Sequence, residues 1–281
     1  MHGGGNFDFQ DFQVIPLRAE SYSQALHDVV LIYHAMKDVL KARGAYSPGV
    51  ADEGGYAPRL ASNEAGFEVM VEAFQRAGFT PGKDVAIAVD VAASHFYHDG
   101  RYQLSTEREE WSSGDLVEHL AVWAARYPLL SIEDGVAEDD EAGWKLLTER
   151  LGKHCQLIGD DLFVTNPRRL AEGIRQGIAN AVLVKMNQIG TLSETLEVVR
   201  LAQRAGYRTV VSARSGETED DSLSDLAVGT RAGQLKVGAI TRSERLAKYN
   251  RLLRIEEHLG KRALYRGAKI FRGLQASTVA T

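Results

Sequence analysis

Short apolar runs that stop abruptly on a charged residue recur along this chain. Ile87-Ala-Val-Asp90, Ser131-Ile-Glu133, Leu157-Ile-Gly-Asp160 and Val182-Leu-Val-Lys185 each read as a brief strand with one ionisable group at or just past its C-terminal end. Between them, apolar residues recur at three- and four-residue spacing, the period of a helix packed on one face. The pattern predicts strands near 12–17, 85–90, 129–132, 156–159, 181–186, 208–212 and 235–238. It predicts helices near 21–43, 63–77, 114–126, 141–151, 167–176, 191–205, 220–231 and 243–258. In the first helix Leu26, Val29, Val30, Tyr33, Met36 and Leu40 form the apolar stripe, Ser21 or Ser23 caps the start and Gly44 ends it. Asn63 is placed to cap the second, and Thr191 with Glu194 has the spacing of a capping box.

Strand and helix in regular succession predict an α/β fold with a parallel sheet. The seven strands are one short of the eight that close a TIM barrel. No linker or shift in composition divides the sequence, so residues 1–281 are expected to form one domain. The Gly-rich stretch Ala51-Asp-Glu-Gly-Gly-Tyr-Ala-Pro58 reads as a mobile polar loop.

Composition narrows the function classes. A net charge of −5 with no basic run argues against nucleic acid as a partner. Cys155 is the lone cysteine, which excludes disulfide staples and cysteine zinc sites and suits a reducing compartment. No apolar stretch reaches the roughly 18 residues needed to cross a bilayer. The first residues lack the apolar core of a signal peptide, and a cytoplasmic location is expected.

In a parallel barrel the C-terminal strand ends converge on one mouth. Asp90, Glu133 and Asp160 would meet there as an all-oxygen set suited to Mg²⁺, with Lys185 beside them as a base. Carboxylates at strand ends also cap helices, and a strand-end lysine can be merely exposed. Arg214, Ser215 and Lys236 are residue types that hold a phosphate or carboxylate. Glu53, flanked by Gly54, can serve as a general acid. No histidine pair has a metal-ligand spacing, and His95 is the one that draws notice.

These residues sit in longer motifs. They include Asp52-Glu-Gly-Gly55, Asp90-Val-Ala-Ala-Ser94, Ser131-Ile-Glu-Asp134, Gly159-Asp-Asp161, Asn187-Gln-Ile-Gly190, Arg214-Ser-Gly-Glu217 and Arg242-Ser-Glu-Arg-Leu-Ala-Lys-Tyr-Asn250. With them the chain resembles the enolase family, Mg²⁺-dependent enzymes that interconvert 2-phosphoglycerate and phosphoenolpyruvate. The likeness covers nearly all of the sequence but only that family's C-terminal TIM barrel. It implies that Asp90, Glu133 and Asp160 hold Mg²⁺, that Lys185 removes the proton beside the substrate carboxylate, and that Glu53 protonates the leaving hydroxyl. It further implies phosphate binding by Arg214 and Ser215, carboxylate binding by Lys236, and substrate contacts from His2 and Gln10.

The departures from the family pattern matter as much. The N-terminal capping domain and the barrel's first strand find no counterpart, which implies a homodimer or a complex with a chain supplying that domain. Asp11 stands where the family has a longer Glu, Ser94-His95 replaces Ser-Glu, and Gly135 replaces a proline. Ala213 occupies the place of a substrate-contacting histidine. Three functions are compatible with this pattern. One is enolase-type dehydration of 2-phosphoglycerate. Another is a specialised relative of the carboxyphosphonoenolpyruvate synthase kind, taking phosphonoformate as co-substrate. The last is an inactive paralogue that binds or scaffolds.

Overall fold

A computed structural model describes residues 7–274. The strands in chain order are β1 (Asp11–Pro16), β2 (Val85–Asp90), β3 (Tyr97–His98), β4 (Arg101–Leu104), β5 (Glu109–Trp111), β6 (Leu129–Glu133), β7 (Gln156–Gly159), β8 (Ala181–Val184), β9 (Arg208–Ser212) and β10 (Leu235–Lys236). Seven form one sheet in the order β1-β2-β6-β7-β8-β9-β10. β1 runs antiparallel to β2, and every later pairing is parallel. Strands β2, β6, β7 and β8 are buried along their whole length, as expected where helices cover one face and the barrel interior the other.

The sheet curls strongly. Lys236 on β10 reaches carboxylates on β2 and β6, and Gln156 on β7 exchanges amide hydrogen bonds with Gln234 just before β10. At the N-terminal end of the strands Phe271 packs with Ala86 and Leu130 and plugs the floor. This is a TIM-barrel sheet left open between β1 and β10, in keeping with the seven strands that the sequence predicts.

The long helices are α1 (Tyr22–Ala42), α2 (Glu64–Arg76), α3 (Ser113–Arg126), α4 (Glu141–Leu151) and α5 (Pro167–Gln176), with a single turn α6 (Met186–Ile189) before α7 (Leu192–Arg204), α8 (Ser222–Gly229) and α9 (Ser243–Leu259). Ser21 accepts from Gln24 N–H at 3.1 Å, and Gly44 lies just past α1 at φ +67°. Thr191 Oγ1 accepts from Glu194 N–H at 3.2 Å. Asn63 departs from expectation. Its side chain makes no cap, because Asp8 and Glu107 take its amide donors and Asp8 N–H takes its oxygen. The α1 stripe also shifts. Ala25, Ile32, Ala35 and Val39 are buried, whereas Leu26, Val29, Tyr33 and Met36 are half-buried.

Sequence periodicity missed the small antiparallel sheet β3-β4-β5. Its first turn is Asp99-Gly100, at φ +50° and +77°, the double left-handed step of a tight hairpin. Among the described residues no helix is long and apolar enough to cross a membrane.

Candidate active site at the barrel mouth

Register brings the carboxylates together before any side chain is considered. Asp90 ends β2 opposite Glu133 at the end of β6, and Asp160 lies one residue past β7. Asp90 and Glu133 are each only 2 % exposed. Lys236 Nζ lies 2.8 Å from Asp90 Oδ2 and 2.8 and 2.9 Å from the two Glu133 oxygens. Gln10 Nε2 donates to Asp90 Oδ2 at 3.0 Å. Lys185, one residue past β8, donates to Asp160 Oδ2, and Gln188 Nε2 donates to Asp160 Oδ1 at 3.2 Å. Every carboxylate of the expected trio is thus held by a lysine.

Two carboxylates and one ammonium leave net negative charge in a dry place. Burial and the neighbouring Asp90 push the Glu133 carboxyl well up, against the pull of Lys236. Burial depresses Lys236, but Asp90, Glu133 and Asp11 more than offset it, and its ammonium is held well above the ordinary range. Asp11 is raised to about 6 by burial and by Asp90 and Glu53, with Lys236 acting the other way. Its Oδ2 has no hydrogen-bond partner among the described residues.

The adjacent Asp134 does something different. Its Oδ1 accepts from Asp160 N–H at 2.9 Å and its Oδ2 from Asp161 N–H at 2.8 Å. Burial, then Asp160, raises its carboxyl well above the usual value. Asp134, Asp160 and Asp161 offer oxygens within 4.8 Å of one another, the one such grouping among the described residues. Both Asp134 oxygens are committed to backbone, so it fixes where Asp160 points. Nothing in the sequence around Asp134 distinguishes this framing role from that of Glu133 beside it.

A second fastening holds Lys185. Thr165 Oγ1 accepts from Lys185 N–H at 2.9 Å and bonds Gln188 Oε1 at 2.8 Å. Val164 and Thr165 sit at φ +42° and +53°, a left-handed step that is costly for β-branched residues. The cost is incurred where the turn has to bring a hydroxyl under the lysine.

Arg214 is exposed and donates to Asn187 Oδ1 at 3.3 Å, and Ser215 is half-buried beside it. Their loop is clamped from behind by α9. Arg245, fully buried, donates to the carbonyls of Arg214 and Ser215, both at 2.6 Å. Lys248, also buried, donates to Thr218 O and lies 3.5 Å from Glu217. Both look like ordinary helix-surface charges in sequence, and only the tertiary contact reveals them. Ala213 N–H donates to Lys236 O at 2.9 Å, and the residue packs half-buried against the main core.

The Glu53 loop is anchored, contrary to the mobile segment expected from its glycines. Tyr33 and Thr241 hydroxyls both donate to Gly54 O, at 2.9 and 2.8 Å, and Ala239 N–H donates to Glu53 O at 2.8 Å. A Cβ at Gly54 would lie 2.2 Å from Thr241 Oγ1, so glycine is required for this closure. His95 is exposed, near enough to Asp161 to oppose the rise of its carboxyl that burial and Asp160 cause. His2 lies outside the described residues.

The donor set fits a hard divalent cation, since it is all oxygen, buried and short of positive charge. Of Asp90, Glu133 and Asp160, the expected ligands, only Asp160 belongs to the grouping of oxygens within 4.8 Å, where its neighbours are Asp134 and Asp161. A family model described as enolase, C-terminal TIM barrel domain, matches residues 1–274. The chain belongs to the enolase family, through that barrel domain.

Proposed function

We propose that this chain is a magnesium-dependent lyase that dehydrates 2-phosphoglycerate to phosphoenolpyruvate. The observation that supports this most is the pairing of two lysines, Lys185 and Lys236, with the carboxylates of one buried acidic centre. Asp90, Glu133 and Asp160 would hold Mg²⁺, which would supply positive charge to stabilise a developing enolate. Lys185 takes the proton from the carbon beside the substrate carboxylate. Lys236 and Gln10 orient that carboxylate. Arg214 and Ser215 bind the phosphate on a loop that Arg245 keeps rigid. Glu53 delivers a proton to the departing hydroxyl, and Asp11 shares the pocket as a second acid.

Ala213 favours a second reading. A methyl at position 213, next to Arg214 in sequence, is smaller than the histidine the family resemblance expects there and would leave room for a further anionic group, such as that of a phosphonoformate co-substrate. A turnover assay tests both readings, with Mg²⁺ and 2-phosphoglycerate, with and without phosphonoformate. Conversion of 2-phosphoglycerate alone supports the first reading, and conversion only with the co-substrate supports the second. No turnover in either case would leave a non-catalytic binding protein. Ala213→His should raise plain dehydration under the first reading and abolish the two-substrate reaction under the second.

A further inference from the structure

Asp160 is the one carboxylate shared by the expected trio and by the grouping with Asp134 and Asp161, so how it is held bears on any cation at this mouth. Three hydrogen bonds fasten its amide and carboxylate. Its N–H donates to Asp134 Oδ1 at 2.9 Å, Lys185 donates to its Oδ2, and Gln188 Nε2 donates to its Oδ1 at 3.2 Å. The two side-chain donors leave the same short stretch of chain. Lys185 is the residue before α6, and Gln188 lies within that turn. An ammonium and a metal ion repel each other at a shared carboxylate, whereas a neutral amide carries no charge to oppose the ion. Of the two, Gln188 is the partner that can stay when a cation binds.

Thr165 decides which way that amide points. It is fully buried on the turn that leaves β7, where Val164 N–H returns to Asp160 O at 2.7 Å. Its hydroxyl oxygen accepts from Lys185 N–H at 2.9 Å. Its single proton goes to Gln188 Oε1 at 2.8 Å, since Leu183 O is farther at 3.4 Å. With Oε1 so engaged, Nε2 is left facing Asp160. The reversed amide would set its carbonyl oxygen against the carboxylate, acceptor against acceptor. We propose that Gln188 is a positioning residue that fixes the Asp160 carboxylate for a divalent cation, and that Thr165 acts through it. A partner that orients a ligating carboxylate in this way commonly changes metal affinity by roughly ten- to a hundredfold when removed. The inference rests on the Mg²⁺ reading of the mouth, and not on the identity of the substrate.

The test is calorimetric titration of the full chain with Mg²⁺ alone. Gln188→Met keeps the length of the side chain and removes the amide. Thr165→Val keeps the branched shape and removes the hydroxyl. Each should weaken Mg²⁺ binding by about tenfold. Thr165→Ser, which restores a hydroxyl, should return the affinity close to that of the parent. Because Thr165 acts through Gln188, the double variant should bind no more weakly than Gln188→Met alone. Independent structural contributions would instead multiply the two losses. The proposal is overturned if Gln188→Met binds Mg²⁺ as the parent does, if the serine variant is as weak as the valine one, or if the two losses multiply. A parent that binds no Mg²⁺ overturns it together with the metal reading. Absence of turnover with 2-phosphoglycerate would count against the proposed reaction alone, and the affinities would still decide this inference.

Discussion

Glu133 and Asp134 are neighbours in sequence, both buried, and both pushed up by burial, yet they are satisfied in opposite ways. Glu133 faces the barrel interior and meets the side-chain ammonium of Lys236. Asp134 turns away at φ +41° and meets two fixed backbone N–H groups. A side-chain cation can be displaced by a stronger one, whereas a backbone donor cannot leave without unfolding the turn. The first arrangement suits a site whose partner changes, and the second suits its frame.

Removing the displaceable cation is the harshest test of this contrast. Lys236→Met leaves Asp90 and Glu133 buried without compensation and should cost about 3–5 kcal/mol in denaturant unfolding without metal. Added Mg²⁺ should recover part of that loss, because it replaces the missing charge at the same oxygens. A variant as stable as the parent without metal would remove the electrostatic argument for the centre.

Asp134→Asn attacks the frame and should cost less, about 1–3 kcal/mol, since one acceptor is replaced by an amide that cannot take the Asp160 or Asp161 N–H. Here Mg²⁺ should give no selective recovery. Equal rescue of the two variants would mean that Glu133 and Asp134 belong to one undivided cluster.

The same contrast explains what could be read in the sequence. All seven barrel strands were legible, the central ones because a strand covered on both faces must be a continuous apolar run, as Val85–Val89 and Ala181–Val184 are. The charged residues closing those runs marked the mouth. The β3–β5 sheet was missed because its buried residues, Tyr102, Leu104 and Trp111, are thinly spread among exposed charges. The Asp99-Gly100 pair was the available signal for it. Arg245, Lys248 and Thr165 were invisible as site residues, since their partners are backbone carbonyls and amides brought from 20 to 31 positions away. The glycines around Glu53 suggested motion, but Gly54 serves close packing against Thr241 instead.

Arg245 extends the frame to the Arg214–Ser215 loop. Arg245→Lys keeps the charge but cannot fork between the carbonyls of Arg214 and Ser215. Losing one such bond should weaken inorganic phosphate binding roughly tenfold, about 1.4 kcal/mol. Hydrogen exchange should quicken in residues 213–218 with little change in β6 and β7. Unchanged phosphate affinity would show that the loop holds its shape without the clamp.

The smallest effect is expected at Glu107, where a carboxylate is satisfied by neither a cation nor a fixed turn alone. Glu107 accepts from Asn63 N–H at 2.8 Å and from Asn63 Nδ2 at 2.6 Å, and Asp8 shares the same amide. Burial raises its carboxyl, with Asp8 adding to the rise and Asn63 N–H opposing it. A folded-state pKa above the unfolded value means that the folded chain binds the proton more tightly. The stability this contributes is fully present below the unfolded pKa and is lost as pH rises through the folded one. The parent should therefore lose stability from mildly acidic to mildly alkaline buffer, by less than about 1 kcal/mol from this group after solvent screening. Glu107→Gln keeps an acceptor for Asn63, can donate to Asp8 and has no proton to lose. Its unfolding midpoint should gain on the parent's as pH rises. A parallel pair of pH profiles would show that Asn63 compensates Glu107 completely.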